Sequence, residues 1–209
     1  MKIRMSEFVC RKAVPSDAPG KIAEYIHLTD PYIYPGICGD PSDPDWRDFI
    51  GACLESTSNI YCRENIVVLL HKEEIIGIAC VVPCGKMLTI TEGIVVPRKL
   101  EQKIETVKKG YFDPLIEESR TFDGYNIVNF CIDGRYQGRG LGKRLMAYCV
   151  ELYGGEPMHL DVIAANAPAV ALYEKFSFKK ESLYMGFSGS ETLLPCYHMI
   201  RTAVGQTKP

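Results

Sequence analysis

Gln137-Gly138-Arg139-Gly140-Leu141-Gly142-Lys143 lies between an apolar run, Tyr125–Ile132, and an amphipathic run, Leu141–Tyr153. The pattern reads as a strand entering a glycine-rich turn that opens a helix. Glycines let a backbone approach a ligand closely, and the first turn of a helix carries N–H groups with no intrahelical partner. Such a turn favours an anion, above all a phosphate.

Working outward, Leu141, Leu145, Cys149 and Leu152 form one apolar stripe on the helix, widened by Met146 and Val150 and stopped by Gly154-Gly155. Met158–Ile163 reads as a strand. Asn166 is a good N-cap, with Pro168 in the first turn and Ala169, Leu172, Tyr173 and Phe176 facing one way. Towards the amino terminus, residues 9–14 suit a strand, and Ser16 or Asp17 can cap a helix over 18–28 with Ile22, Tyr25, Ile26 and Leu28 on one face. A proline-rich loop over 29–45 follows, then a helix over 46–56. The β-branched runs 66–70 and 75–82 predict a hairpin covered on both faces. Residues 87–96 are strand-like, 99–109 have helical spacing, and 111–119 suit a turn or two of helix. Strands over 183–187 and 196–200 close the chain. This order gives an α/β layer with a mixed sheet.

The 209 residues suit one domain spanning 1–209 with an inserted segment at about 83–124. A formal net charge of −2 and a pI near 6.1 imply no broad basic face for nucleic acid. No apolar run reaches the length that crosses a bilayer, and residues 1–10 lack a signal-peptide core, so no membrane association and a cytoplasmic location are expected. The nine cysteines are scattered and never spaced Cys-x-x-Cys, which favours reduced, mostly buried thiols over a disulfide framework or a metal site.

Three glycine motifs compete for residues 137–143. A Walker loop needs glycine five positions before its Gly-Lys and Ser or Thr after the lysine; Gln137 and Arg144 occupy those places. The dinucleotide fingerprint fits in part: Asp161 lies about 20 residues on, but the third glycine slot holds Lys143 and the motif comes late in the chain. The pattern Gln/Arg-x-x-Gly-x-Gly/Ala fits fully. Together with Asn166-Ala167-Pro168-Ala169-Val170-Ala171-Leu172-Tyr173-Glu174-Lys175-Phe176-Ser177-Phe178, it resembles the GNAT superfamily of acetyl-CoA-dependent N-acetyltransferases. The resemblance covers about residues 125–178 in detail and the rest in layout. It implies a mixed, mostly antiparallel central sheet flanked by helices, with acetyl-CoA as co-substrate and no metal. The implied pyrophosphate donors are the backbone N–H groups of Gln137, Gly138, Arg139, Gly140, Leu141, Gly142 and Lys143. Cys131 and Ile132 would pair with the pantetheine amides, Asn166 would contact the cofactor arm, and Tyr173 would lie beside the thioester sulfur. The family usually has glycine where this chain has Ser177.

Acetyl transfer to an amine must remove a proton from the amine and deliver one to the departing thiolate. An amine of pKa about 10.4 is neutral in roughly one molecule per thousand near pH 7.4, a penalty of about 4 kcal/mol that a base, a water chain or a dry site must cover. Tyr173 suits the acid, because a phenol stays protonated at neutral pH. Glu92 and His198 are the candidate bases. Direct attack is expected rather than an acetyl-enzyme on Cys131, since no base is visible beside that thiol. The acceptor is expected to be an amine-bearing small molecule or a protein amino group. Segments 83–124 and 29–45 would wall its site; the other reading of 83–124 is a packing or homodimer-forming extension. The rival function is a non-catalytic acyl-CoA-binding regulatory domain.

Overall fold

The computed structural model describes residues 5–29, 44–84, 94–95, 98–107, 122–188 and 192–203. The expected strand over 87–96 and helical turn over 111–119 lie outside these residues, apart from Ile94 and Val95, which are not in a strand. Strand β1 is Phe8–Lys12, followed by helix α1, Pro19–Thr29, and helix α2, Pro44–Glu55. Strands β2, Ile66–His71, and β3, Glu74–Pro83, form the expected hairpin around Lys72-Glu73. After helix α3, Arg98–Val107, come β4, Tyr125–Ile132, helix α4, Leu141–Tyr153, and β5, Met158–Ile163. Helix α5, Ala167–Lys175, and the long hairpin of β6, Lys179–Ser188, and β7, Thr192–Arg201, complete the described chain.

The strands form one seven-stranded sheet in the order β1-β2-β3-β4-β5-β7-β6. Every neighbouring pair is antiparallel except β4 and β5. A parallel pair needs a crossover, and the glycine turn with α4 supplies it. One face of the sheet is covered by α1 and α2, where Ile22, Ile26, Trp46 and Phe49 pack on Val68, Ile78 and Val82. On the other face, Leu145, Met146 and Cys149 of α4 with Val170 and Tyr173 of α5 pack on Val67, Ile76, Ala79 and Leu160. Strands β2 and β3 are therefore buried on both sides, as their unbroken apolar runs imply.

Three local expectations are corrected. Asp17 does not cap α1: its carboxylate turns back to Arg11, at 2.7 Å to each guanidinium nitrogen, and to the Val14 N–H at 2.8 Å. Burial raises the Asp17 carboxyl, but these bonds outweigh it and the net shift is downward. Leu28 and Leu152 are exposed; on α4 it is Tyr153 that turns inward.

Two irregularities shape the centre of the sheet. Cys80 pairs with Asn129 while Val81 pairs with Ile127, so Val128 is an extra, bulged residue in β4. Bulges bend a strand and raise its twist. The β4–β5 ladder ends at the same level, with Ile127 opposite Leu160. Beyond it β4 stays paired to β3 as far as Ile132, and β5 to β7 as far as Ile163. The two strands thus diverge into a wedge whose edges are residues 128–132 and 161–163.

Candidate active site

The glycine turn sits at the open end of that wedge. Asp133 caps a short 3-10 turn, Gly134–Tyr136, by accepting from the Arg135 N–H, and the Gln137 side-chain amide donates to the Ile132 carbonyl at 2.9 Å. Gln137 therefore ties the turn to the end of β4, and its own N–H faces the Gly134 carbonyl. Gly138 and Gly140 have φ of +72° and +79°, the left-handed region that other residues avoid. An added Cβ at either would meet no atom within 4 Å, so these glycines leave open space beside the backbone rather than fill a packed contact. From Gly138 through Lys143 no main-chain N–H donates to an acceptor among the described residues; the ladder of α4 begins with Arg144 to Gly140. A consecutive run of free donors at a helix N-terminus, which no side chain caps, is the chemistry of an anion cradle.

The cations nearby are not equivalent. Arg135 is held by Asp133 at 2.7 Å and Glu74 at 3.0 Å, and its bond is the main reason the Asp133 carboxyl lies far below the usual range. Arg139 lies over the Tyr136 ring at 5.4 Å and is exposed, as is Lys143. Both are within reach of a phosphate at the turn, whereas the side chain of Arg144 is directed at Cys10.

Midway along the wedge, at Phe130, Tyr173 approaches from the α4–α5 face. Its ring meets Phe130 of β4 edge-on at 6.1 Å and Phe178 at 6.0 Å. The residue is 7% exposed, and burial raises its phenol well above the ordinary value. No described residue bonds its hydroxyl. Asn166 caps α5, its Oδ1 accepting from Ala169 N–H at 3.3 Å. Cys131 lies on the β4 edge, its thiol pushed up to about 11 by burial and then by the charges of Asp133 and Glu24.

On the opposite face is a cluster that sequence reading found only in part. His198 of β7 pairs with Asp161 of β5, its Nδ1 3.0 Å from Asp161 Oδ1. Its Nε2 is 3.4 Å from His159 Nδ1, and His159 Nε2 is 3.1 Å from the Asp123 carbonyl. Phe122 stacks on both imidazoles, at 4.8 and 5.2 Å. Met158, Leu160 and Val162 belong to the α4–α5 core, so the alternating His159 and Asp161 project from the other side. A carbonyl only accepts, so His159 Nε2 carries a proton. Burial and the neighbouring His198 lower the His159 pKa, which favours its neutral form with Nδ1 as acceptor. Asp161 entered the sequence reading only as a spacing coincidence. The signal available was a histidine and a carboxylate at alternate positions in an otherwise apolar strand. Glu92 lies outside the described residues.

A family model described as the acetyltransferase (GNAT) family matches residues 27–178, most of the chain. This chain belongs to the GNAT acetyltransferase family. Among curated relatives, the spermine/spermidine N(1)-acetyltransferase of Bacillus subtilis is 35% identical over 69 residues, 31% of this chain and 45% of that protein. The N-alpha-acetyltransferase RimI of Mycobacterium tuberculosis is 33% identical over 70 residues, 32% and 44% of the two lengths. The chain thus spans less than half the length of either relative. In fold, an N-acetyltransferase from Staphylococcus aureus Mu50 superposes with a TM-score of 0.63 at 16% identity, covering 92% of this chain and all of that one. The GNAT fold implies acetyl-CoA binding. The described site fits that group in one testable respect: free donors and an unfilled space where an anion must approach. Among the described residues, no cluster of metal ligands occurs and no helix is long and apolar enough to cross a membrane.

Proposed function

We propose that the protein transfers an acetyl group from acetyl-CoA to a primary amine by direct attack. The observation that carries this reading is the wedge itself, with free N–H donors at its open end and Tyr173 against Phe130 on its edge. From Ile132 back to Val128 the strand covers four residues, about 13 Å at the usual rise. A phosphate on residues 138–143 with an extended arm along β4 therefore brings its far end to the bulge. The Ile132 N–H, on the wedge side, suits an amide-bearing arm, whereas the Cys131 carbonyl is turned to Gly77 of β3. Asn166, with its oxygen used in capping, has its amide nitrogen to offer.

Acetyl-CoA supplies an activated acyl group on a thiolate leaving group; the residues manage the protons. Tyr173 lies on one face of the wedge and the His198–Asp161 pair on the other, so proton delivery to the sulfur and removal from the amine occur on opposite sides. Burial raises the thiols of this core, Cys131 to about 11 and Cys149 to about 12. A departing thiolate at similar depth is raised likewise, which narrows its gap to the raised phenol of Tyr173 and makes proton transfer between them feasible. The Asp161 carboxylate only accepts, so His198 Nδ1 holds a proton towards it, and with His159 neutral the His198 Nε2, 3.4 Å from His159 Nδ1, is the place that can gain one. It takes the one the amine releases. Glu92 is the other base this reading allows. Direct attack is supported by Cys131: at a pKa of about 11, only about one thiol in several thousand is ionised near pH 7.4.

The acceptor comes from the amines that the relatives' names bring into view, a polyamine or a protein α-amino group. The test follows release of free thiol from acetyl-CoA with spermidine and with an alanine-ended peptide. Amine-dependent release is expected; binding of coenzyme A with no release for any primary amine would overturn the enzyme reading and favour a regulatory acyl-CoA-binding domain.

A further inference from the structure

Asn129 is the first β4 residue after the bulge, on the edge of the wedge, and is 4% exposed. Its Nδ2 donates to Thr29 Oγ1 at 2.6 Å, and the Thr29 hydroxyl in turn donates to the Ile26 carbonyl at 2.6 Å. That carbonyl can only accept, so the single hydroxyl proton is committed, and Thr29 can only accept from Asn129. The amide is thereby fixed with its NH2 towards α1 and its Oδ1 away from it. A flipped amide would set two acceptors 2.6 Å apart with no proton between them. Asn129 Oδ1 is left buried without a hydrogen-bond partner. Buried acceptors of this kind are uncommon in folded proteins and call for a donor.

We propose that Asn129 Oδ1 is the docking acceptor for the nitrogen of the substrate amine, and that it selects primary amines. The inference rests on the acetyl-transfer reading above. Asn129 projects towards α1, the face that carries Asp161 and His198 and lies opposite Tyr173. Three acceptors are described on that face: Asn129 Oδ1, Asn126 Oδ1, which is also buried and unpartnered, and the Asp161 carboxylate. An attacking RNH2 forms its N–C bond to the acetyl carbon with the lone pair and breaks one N–H bond, that proton passing to His198 Nε2. Its second hydrogen stays on nitrogen, hydrogen-bonded to Asn129 Oδ1 throughout; the acyl C–S bond breaks and the thiolate leaves towards Tyr173, which gives it a proton. A secondary amine or an alcohol has one hydrogen for both tasks. It must give up the docking bond to react, so primary amines are turned over preferentially.

The test uses propylamine and N-methylpropylamine with the coenzyme A-loaded protein. The 13Cγ resonance of Asn129, identified by its loss in Asn129→Leu, should shift saturably with propylamine and clearly less with its N-methyl derivative. In thiol-release assays Asn129→Leu should lower kcat/KM for propylamine by about tenfold or more with coenzyme A affinity unchanged. Its unfolding midpoint should stay at or near the wild-type value. If Asn129→Leu fails to fold, Thr29→Val frees the amide to turn and should raise KM without loss of the fold. Equal shifts for the two amines, or unchanged kcat/KM in a variant that turns over, would overturn the docking role. A selective shift without any turnover would support the site and remove the acetyl-transfer reading instead.

Discussion

Replacing Tyr173 by phenylalanine separates chemistry from packing more cleanly than any other change in this molecule. The ring packs edge-on to Phe130 and against Phe178, and phenylalanine keeps both contacts. No described residue bonds the hydroxyl, so its removal breaks no hydrogen bond among the described residues. Folding stability should therefore change by no more than about 1 kcal/mol, and in the favourable direction if the hydroxyl is poorly hydrated. General acids contribute roughly 10²–10⁴ in rate, and a thiol is already a tolerable leaving group, so the loss belongs at the lower end. A drop of about 10² in kcat corresponds to about 2.7 kcal/mol in the barrier. Thiol release at saturating amine and acetyl-CoA gives kcat; a thermal melt gives stability; coenzyme A titration should show unchanged affinity. A kcat within about twofold of wild type would remove Tyr173 from the mechanism. A large fall in melting temperature would show that the hydroxyl is structural.

Three other outcomes are expected. Ser177 holds φ of +67° where a glycine is unstrained, so Ser177→Gly should stabilise the fold by about 1 kcal/mol, a rise of roughly 2–4 °C in melting temperature; an unchanged or lower midpoint would contradict it. Cys131→Ala should retain turnover within a few fold, and mass spectrometry of the wild type with acetyl-CoA alone should find no acetylated Cys131; a covalent adduct would refute direct attack. His159 has a lowered pKa, so the unfolded chain takes up its proton first as pH falls. The stability contributed by neutral His159 is fully present above about pH 6.5 and declines as pH drops through its folded value. Denaturant melts from pH 7.5 to 5 should show the wild type losing stability relative to His159→Gln, and parallel curves would count against this.

The centre of the molecule was legible because its punctuation is local. Glycines at 138, 140 and 142 and at 154–155 bound α4, and Asn166 caps α5, so β4, α4 and β5 were read with their observed ends. The last hairpin was read short. Lys179, Lys180, Glu181 and Ser182 are polar and exposed, and only pairing with β7 keeps them in a strand. Asp17 looked like a cap because its competing partner, Arg11, is brought in by the turn rather than by a helical spacing. The wedge was not legible at all. It depends on a one-residue mismatch between β3 and β4, a property of two strands that neither sequence shows alone. The same holds for His159 and His198, which meet because β7 inserts beside β5, and for Asn129, whose orientation is set by a hydroxyl 100 residues away.

The central claim is that the wedge takes acetyl-CoA with its phosphates on the free donors of the glycine turn. Titrating coenzyme A into 15N-labelled protein tests it most directly. The amide resonances of Gly138 through Lys143 should shift together and saturate with a single affinity, and Gly140→Val, which fills the open space beside the turn, should weaken that affinity. Saturable binding that leaves those amides unmoved, or that is unchanged in Gly140→Val, would contradict the account.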